Sequence, residues 1–146
     1  MSDGRVKNGS CLCGAVRFTV REPLRPVVYC HCHQCRKQTG HYMAATSAQL
    51  GRFVIIEDRG LRWYRASEAA RRGFCSLCGS TLFWHADGTD RISIAAGAID
   101  GETGVRGEGH IFCADKGDYY EIADGDYRWE EDGRPERAPM KPERSP

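Results

Sequence analysis

Apolar and polar positions alternate in short stretches along this chain. Val16, Phe18 and Val20 are separated by Arg17 and Thr19, a period of two that sends one row of side chains to a buried face and the other to solvent. A half-buried strand is therefore expected directly after the turn CLCG. The same reading places strands over 27–29, 42–47, 53–57, 61–65, 81–85 and 92–96, with a turn over 86–90. Helical signals are brief. Residues 36–38 can make one turn that stops at Gly40, and Ala69 and Ala70 favour another over 67–72, too short to carry an architecture. Gly97, Gly101, Gly104, Gly107 and Gly109 break up the following stretch, which reads as loop until a strand at 110–113. Many short strands with frequent turns predict a mainly β domain over 10–129. Residues 1–9 read as a flexible lead. Residues 130–146 hold four of the six prolines among mixed charges and read as a disordered tail.

Composition adds mostly exclusions. The formal net charge is +1 and both signs are interspersed, so there is no general electrostatic drive toward nucleic acid or an anionic membrane. The N-terminal stretch lacks the apolar run of a signal peptide, and no segment approaches the roughly 20 apolar residues of a membrane span. A reducing, cytoplasmic setting is expected. Clustered cysteines there more often hold metal or do redox work than form structural disulfides.

Seven of the eight cysteines fall into three tight groups: Cys11 and Cys13 in CLCG, Cys30, Cys32 and Cys35 in CHCHQC, and Cys75 and Cys78 in CSLCG. A pair offers two thiolates and cannot complete a tetrahedral shell, so two pairs must combine. The triplet is then left with three ligands and one open position, the arrangement in which zinc binds substrate. A closed second shell, completed by His31, His33, His110 or Cys113, is the alternative. His31 lies between two ligands, where its ring points away from a metal they share, and Cys113 in HIFC reads as a small apolar-strand residue. Three thiolates donate charge to a zinc ion and disfavour easy hydroxide formation. Such a site more naturally takes an incoming thiol and lowers its pKa.

The motifs CLCGAVRF, CHCHQCRKQTG, FCSLCGSTLFW, IAAGAID and GHIFCADKGDYYEI, in this order over residues 10–129, resemble the glutathione-dependent formaldehyde-activating enzyme family, which shares a domain with centromere protein V. The resemblance implies a Mss4-like fold, a structural zinc held by Cys11, Cys13, Cys75 and Cys78, and a second zinc held by Cys30, Cys32 and Cys35. It further implies carbon–sulfur lyase chemistry: the reversible condensation of glutathione with formaldehyde to S-hydroxymethylglutathione. Thr39 stands where the family often has serine, and Asp118 and Tyr119 where it often has Pro-Trp.

An anionic thiol such as glutathione needs cations for its carboxylates, and Arg36 and Lys37, next to the triplet, are the first candidates. Both could equally balance the thiolate charge, as could Arg71 and Arg72 before the last pair. Trp63, Phe83 and Trp84 read as core or pocket wall. His110 reads as a strand histidine with a structural hydrogen bond, with a proton-carrying role as the alternative. The competing reading of the whole chain is a non-catalytic binding or scaffold module that uses zinc only to fold.

Overall fold

The computed structural model describes residues 4–131. The expected disordered tail lies almost entirely outside them. The fold is mainly β with short antiparallel strands, and it divides into two compact units. One unit comprises residues 1–25 and 46–105, the other residues 26–45 and 106–146.

In the first unit, β1 (Val6–Ser10), β2 (Arg17–Arg21) and β5 (Phe53–Glu57) form an antiparallel sheet in the order β1-β2-β5. A second antiparallel set is built from β6 (Leu61–Tyr64), β7 (Ala70–Cys75), β8 (Thr81–Ala86) and β9 (Arg91–Ala95). The alternation around β2 does what the pattern required: Phe18 and Val20 are buried, with Arg17 and Arg21 exposed. Phe18 meets Phe53 and Phe83 at ring-centroid separations of 5.5 and 5.1 Å, and Val16, Val20, Leu82 and Ile94 close around them. Trp63 and Phe83 belong to this core, and Arg71 lies 4.1 Å over the Trp63 ring.

The second unit holds β3 (Val27–Cys30), the start of β4 (Met43–Gln49), β10 (Gly107–Ile111) and β11 (Tyr127–Arg128), with the helix α1 (His33–Thr39). β3 pairs antiparallel with β4 and parallel with β10, so Cys30 lies between Met43 and Ile111. The helix starts with Cys32 as its cap and ends at Gly40, whose φ of 82° no β-carbon tolerates easily.

Three local expectations are corrected. Residues 6–9 are not a flexible lead; they belong to β1, held by a five-pair ladder from Val6↔Arg21 to Ser10↔Arg17. Its polar sequence hid it, because the only buried position is Gly9, under the Phe18 ring. Residues 67–72 do not make a helical turn: β7 starts at Ala70, where pairing with β6 and β8 overrides the propensity of two alanines. The strand expected at 110–113 is β10, which begins at Gly107, three residues earlier, and ends at Ile111. Its glycines are not loop signals but clearance, since a β-carbon at Gly107 would sit 2.4 Å from the Tyr29 hydroxyl and one at Gly109 2.4 Å from the Trp129 ring.

Among the described residues no helix is long and apolar enough to cross a membrane.

A β-carbon on Gly9 would stand 2.0 Å from Phe18, a fully buried ring with no room to move. Gly9→Ala should therefore lower stability by about 1–3 kcal/mol in denaturant unfolding. Gly51→Ala, which meets nothing within 4 Å, should change it far less.

Candidate metal centres

The two tight turns of the first unit are built alike. In the turn between β1 and β2, the Cys11 N–H donates to Val16 O at 3.0 Å and the Gly14 N–H to Cys11 O at 3.2 Å. Between β7 and β8, the Cys75 N–H donates to Ser80 O at 3.0 Å and the Gly79 N–H to Cys75 O at 2.7 Å. Gly14 and Gly79 both adopt φ of 81°, which explains why CLCG and CSLCG each end in glycine. The echo between these motifs is thus one turn used twice.

These turns bring the sulfurs of Cys11, Cys13, Cys75 and Cys78 within 4.8 Å of one another. A zinc–sulfur bond of about 2.3 Å puts the sulfurs of a tetrahedral shell about 3.8 Å apart. The Cys11–Cys13 and Cys13–Cys75 separations are 3.7 and 3.8 Å, so this donor set fits zinc. Cys11 and Cys75 are buried in the core, whereas Cys13 is exposed. Gly60 lies against Cys75, where a β-carbon would come within 2.6 Å of the sulfur.

Ser80 joins the two turns. Its hydroxyl accepts from the Leu12 N–H at 3.0 Å and lies 3.2 Å from Cys78 Sγ. That hydroxyl, followed by the Ser80 backbone N–H, holds the Cys78 thiol down at about 5, so it is a thiolate at neutral pH. Burial acts to raise Cys11, but the Val16 N–H at 3.2 Å and then Cys75 and Cys13 outweigh it and leave the thiol below its ordinary value.

The second group lies wholly in the other unit. The sulfurs of Cys30, Cys32 and Cys35 are within 4.8 Å of one another, and Cys35 is buried. Cys30 comes from the end of β3, Cys32 caps α1, and Cys35 sits one turn into the helix, its N–H donating to Cys32 Sγ at 3.3 Å. The neighbouring sulfurs of Cys32 and then Cys35 push the Cys30 thiol up strongly. Three thiolates this close repel one another, and a bound cation is the natural counterweight.

None of the other candidates joins this group. His31 is buried and turned away: its Nε2 lies 2.8 Å from His110 Nδ1, and its Nδ1 is hydrogen-bonded to the Tyr120 hydroxyl. Burial first, and the nearby His110 second, lower its pKa to about 4, so its ring is neutral at physiological pH. His110 passes the chain on through Nε2 to Asp126 Oδ2 at 3.1 Å. The result is a line of four side chains, Tyr120–His31–His110–Asp126, which passes through the residue between Cys30 and Cys32 and ends at a half-exposed carboxylate. Cys113 points to His110 O at 3.5 Å, and His33 is exposed. Tyr120, Asp126 and Ser80 escaped the sequence reading. No spacing rule marks them, because each acts across 16 or more positions of chain.

Tyr29, Tyr42 and Tyr120 pack against the two histidines, His41 packs on Tyr42 and Tyr120, and the Tyr119 hydroxyl lies 3.0 Å from His41 Nδ1. Lys116 Nζ sits 4.5 Å over the Tyr120 ring. Of the proposed cations, Lys37 is exposed, and Arg36 has a buried Nε with no hydrogen-bond partner among the described residues.

A mainly β protein with one four-cysteine group and one three-cysteine group, each able to hold a metal ion, is the class that fold and sites define. The family model described as glutathione-dependent formaldehyde-activating enzyme matches residues 6–115, and the chain belongs to that family. A Halomonas elongata protein with a provisional name as a glutathione-dependent formaldehyde-activating enzyme is 34% identical, over 78% of this chain and 79% of that protein. A Schizosaccharomyces pombe protein named as an uncharacterized lyase is 29% identical, over 79% of this chain and 84% of its own length. The crystal structure of a Rhodobacter sphaeroides protein superposes with a TM-score of 0.57 at 23% identity, covering 66% of this chain and 91% of that one, a likeness of fold.

The two groups should separate on mutation. Cys75→Ser should lower the metal count in native mass spectrometry and destabilise the first unit, because it removes a candidate ligand inside the core. Cys32→Ser should lower the count while leaving thermal unfolding of the first unit nearly unchanged.

Proposed function

We propose that this protein is a zinc-dependent enzyme of carbon–sulfur lyase type that acts on a glutathione adduct, reversibly joining glutathione and formaldehyde as S-hydroxymethylglutathione. The observation that carries this reading is the Cys30–Cys32–Cys35 group: three sulfurs, and no fourth histidine, cysteine or carboxylate gathered with them among the described residues. Family membership and the names of the two relatives supply the substrate class. The four-cysteine group takes the structural role, since two of its members are core residues.

A zinc ion held by the triplet would supply a coordination position at which an incoming thiol ionises more readily. Cys30, Cys32 and Cys35 hold that position, and the committed ring of His31 keeps imidazole out of it. Arg36, one residue past the last ligand, is only half-buried and offers the charge of its guanidinium to a glutathione carboxylate. Lys37 stands exposed beside it for the same duty. In the forward direction the glutathione sulfur attacks the aldehyde carbon, a carbon–sulfur bond forms, and the carbonyl π electrons move to oxygen. The proton lost by the thiol ends on that oxygen, so the step balances without an oxidant or reductant. Reversal breaks the same bond.

Exchange NMR of glutathione with formaldehyde tests this against the spontaneous background. The wild-type protein should accelerate exchange, Cys32→Ala should not, and Arg36→Ala should raise the KM for glutathione by about tenfold or more, the loss of one charge-assisted hydrogen bond of roughly 1.5–3 kcal/mol. A cobalt-substituted protein should change its visible spectrum when glutathione is added. An unchanged spectrum with no acceleration would leave the folding-only role of the metal as the better reading.

A further inference from the structure

Two of the three sulfurs of the second group stand on different elements joined by a single residue. Cys30 ends β3, Cys32 caps α1, and His31 between them belongs to neither. The placing of Cys30 against Cys32 therefore depends on how His31 is held. β10 holds it twice: the His31 N–H donates to Ile111 O at 3.0 Å, and the ring Nε2 lies 2.8 Å from His110 Nδ1. The Tyr120 hydroxyl takes the other ring nitrogen. At 1% exposure the residue has no solvent contact to fall back on if one of these is lost.

With both rings neutral, the hydrogens along this line fit in one order. The Asp126 carboxylate accepts and cannot donate, so His110 carries its hydrogen on Nε2, 3.1 Å from Asp126 Oδ2. His110 Nδ1 is then bare and accepts from the His31 Nε2–H. His31 Nδ1 is bare in turn and accepts from the Tyr120 O–H. As a half-exposed ion pair, Asp126 contributes little to stability. As an acceptor at the end of the line it fixes the tautomer of two buried rings.

We propose that His110 is a positioning residue for the Cys30–Cys32–Cys35 group: oriented by Asp126, it fixes the His31 ring and with it the bend on which Cys30 and Cys32 stand. Neither ring has to change its charge for this. Both nitrogens of His110 are spent, one on Asp126 and one on His31, which leaves none to carry a proton to a substrate. The inference rests on the triplet being a place where an ion binds, as in the function proposed above.

Cadmium-113 NMR of the full chain loaded with cadmium reads the two cysteine groups separately, because ions bound by four and by three sulfurs differ in shift. The wild-type chain should give two signals. His110→Leu, close in size and unable to accept, should shift or broaden the three-sulfur signal and release that ion to EDTA at least about tenfold faster, leaving the four-sulfur signal unchanged. Tyr120→Phe, which frees the other ring nitrogen, should produce the same selective change and serves if His110→Leu does not fold. His110→Gln should restore the wild-type signal and release rate, since its amide offers an N–H to Asp126 and an oxygen to His31 although it cannot carry a proton. Long-range 15N–1H spectra should find the hydrogen on Nε2 of both rings. The proposal alone is overturned by a three-sulfur ion indifferent to His110→Leu and Tyr120→Phe, by His110→Gln behaving like His110→Leu, or by a hydrogen on His31 Nδ1. A single cadmium signal from the wild-type chain would overturn the metal reading of the triplet, and with it both this inference and the proposed function.

Discussion

The first unit hangs on one constraint: four thiols must converge although they arrive in two turns more than 60 residues apart. A small β unit has limited core to bury, and here the ligands are themselves core residues, with Cys11 and Cys75 packed among Val16, Leu82 and Phe83. Binding of a metal there would therefore not be a separate term from hydrophobic burial. The four sulfurs bring the β1–β2 turn to the β7–β8 turn, and the Phe18–Phe53–Phe83 cluster fills the space between the sheets that those turns join. Ser80 adds the remaining register, since one hydroxyl ties the backbone of the first turn to a sulfur of the second.

The second unit solves a different problem. Its three thiols come from one short segment, so no long-range closure is needed to gather them. A strand end, a helix cap and the first helical turn supply the ligands in sequence. What requires tertiary structure is everything around the group: the histidine pair, the four tyrosines near it, and Asp126 at the far end of the hydrogen-bonded line. The local motif makes the ligand set, and the fold decides what surrounds it.

This division explains what could be read in the chain beforehand. Period-two alternation showed β2 because Phe18 and Val20 face a deep core. It could not show β1, which buries only a glycine, nor the start of β10, where glycine makes room for the rings of Tyr29 and Trp129. The cysteine groups were legible because metal chemistry demands short spacings. The division of the cysteines into four and three also followed from counting ligands. Ser80, Tyr120 and Asp126 had no such signature, for hydrogen bonds that span the chain leave no periodicity behind.

The commitment of His31 has a consequence for metal choice. A histidine flanked by two cysteines is a ready substitute donor, and a shell of mixed nitrogen and sulfur would be harder than one of sulfur alone. Hydrogen bonds to Tyr120 and His110 occupy both ring nitrogens, so the imidazole cannot swing toward the sulfurs without breaking two buried contacts. Any ion held there would meet three sulfurs from these residues, the donor set that suits thiophilic ions such as zinc, copper(I) or iron. A residue that stands outside the group would thus still bear on what the group can hold.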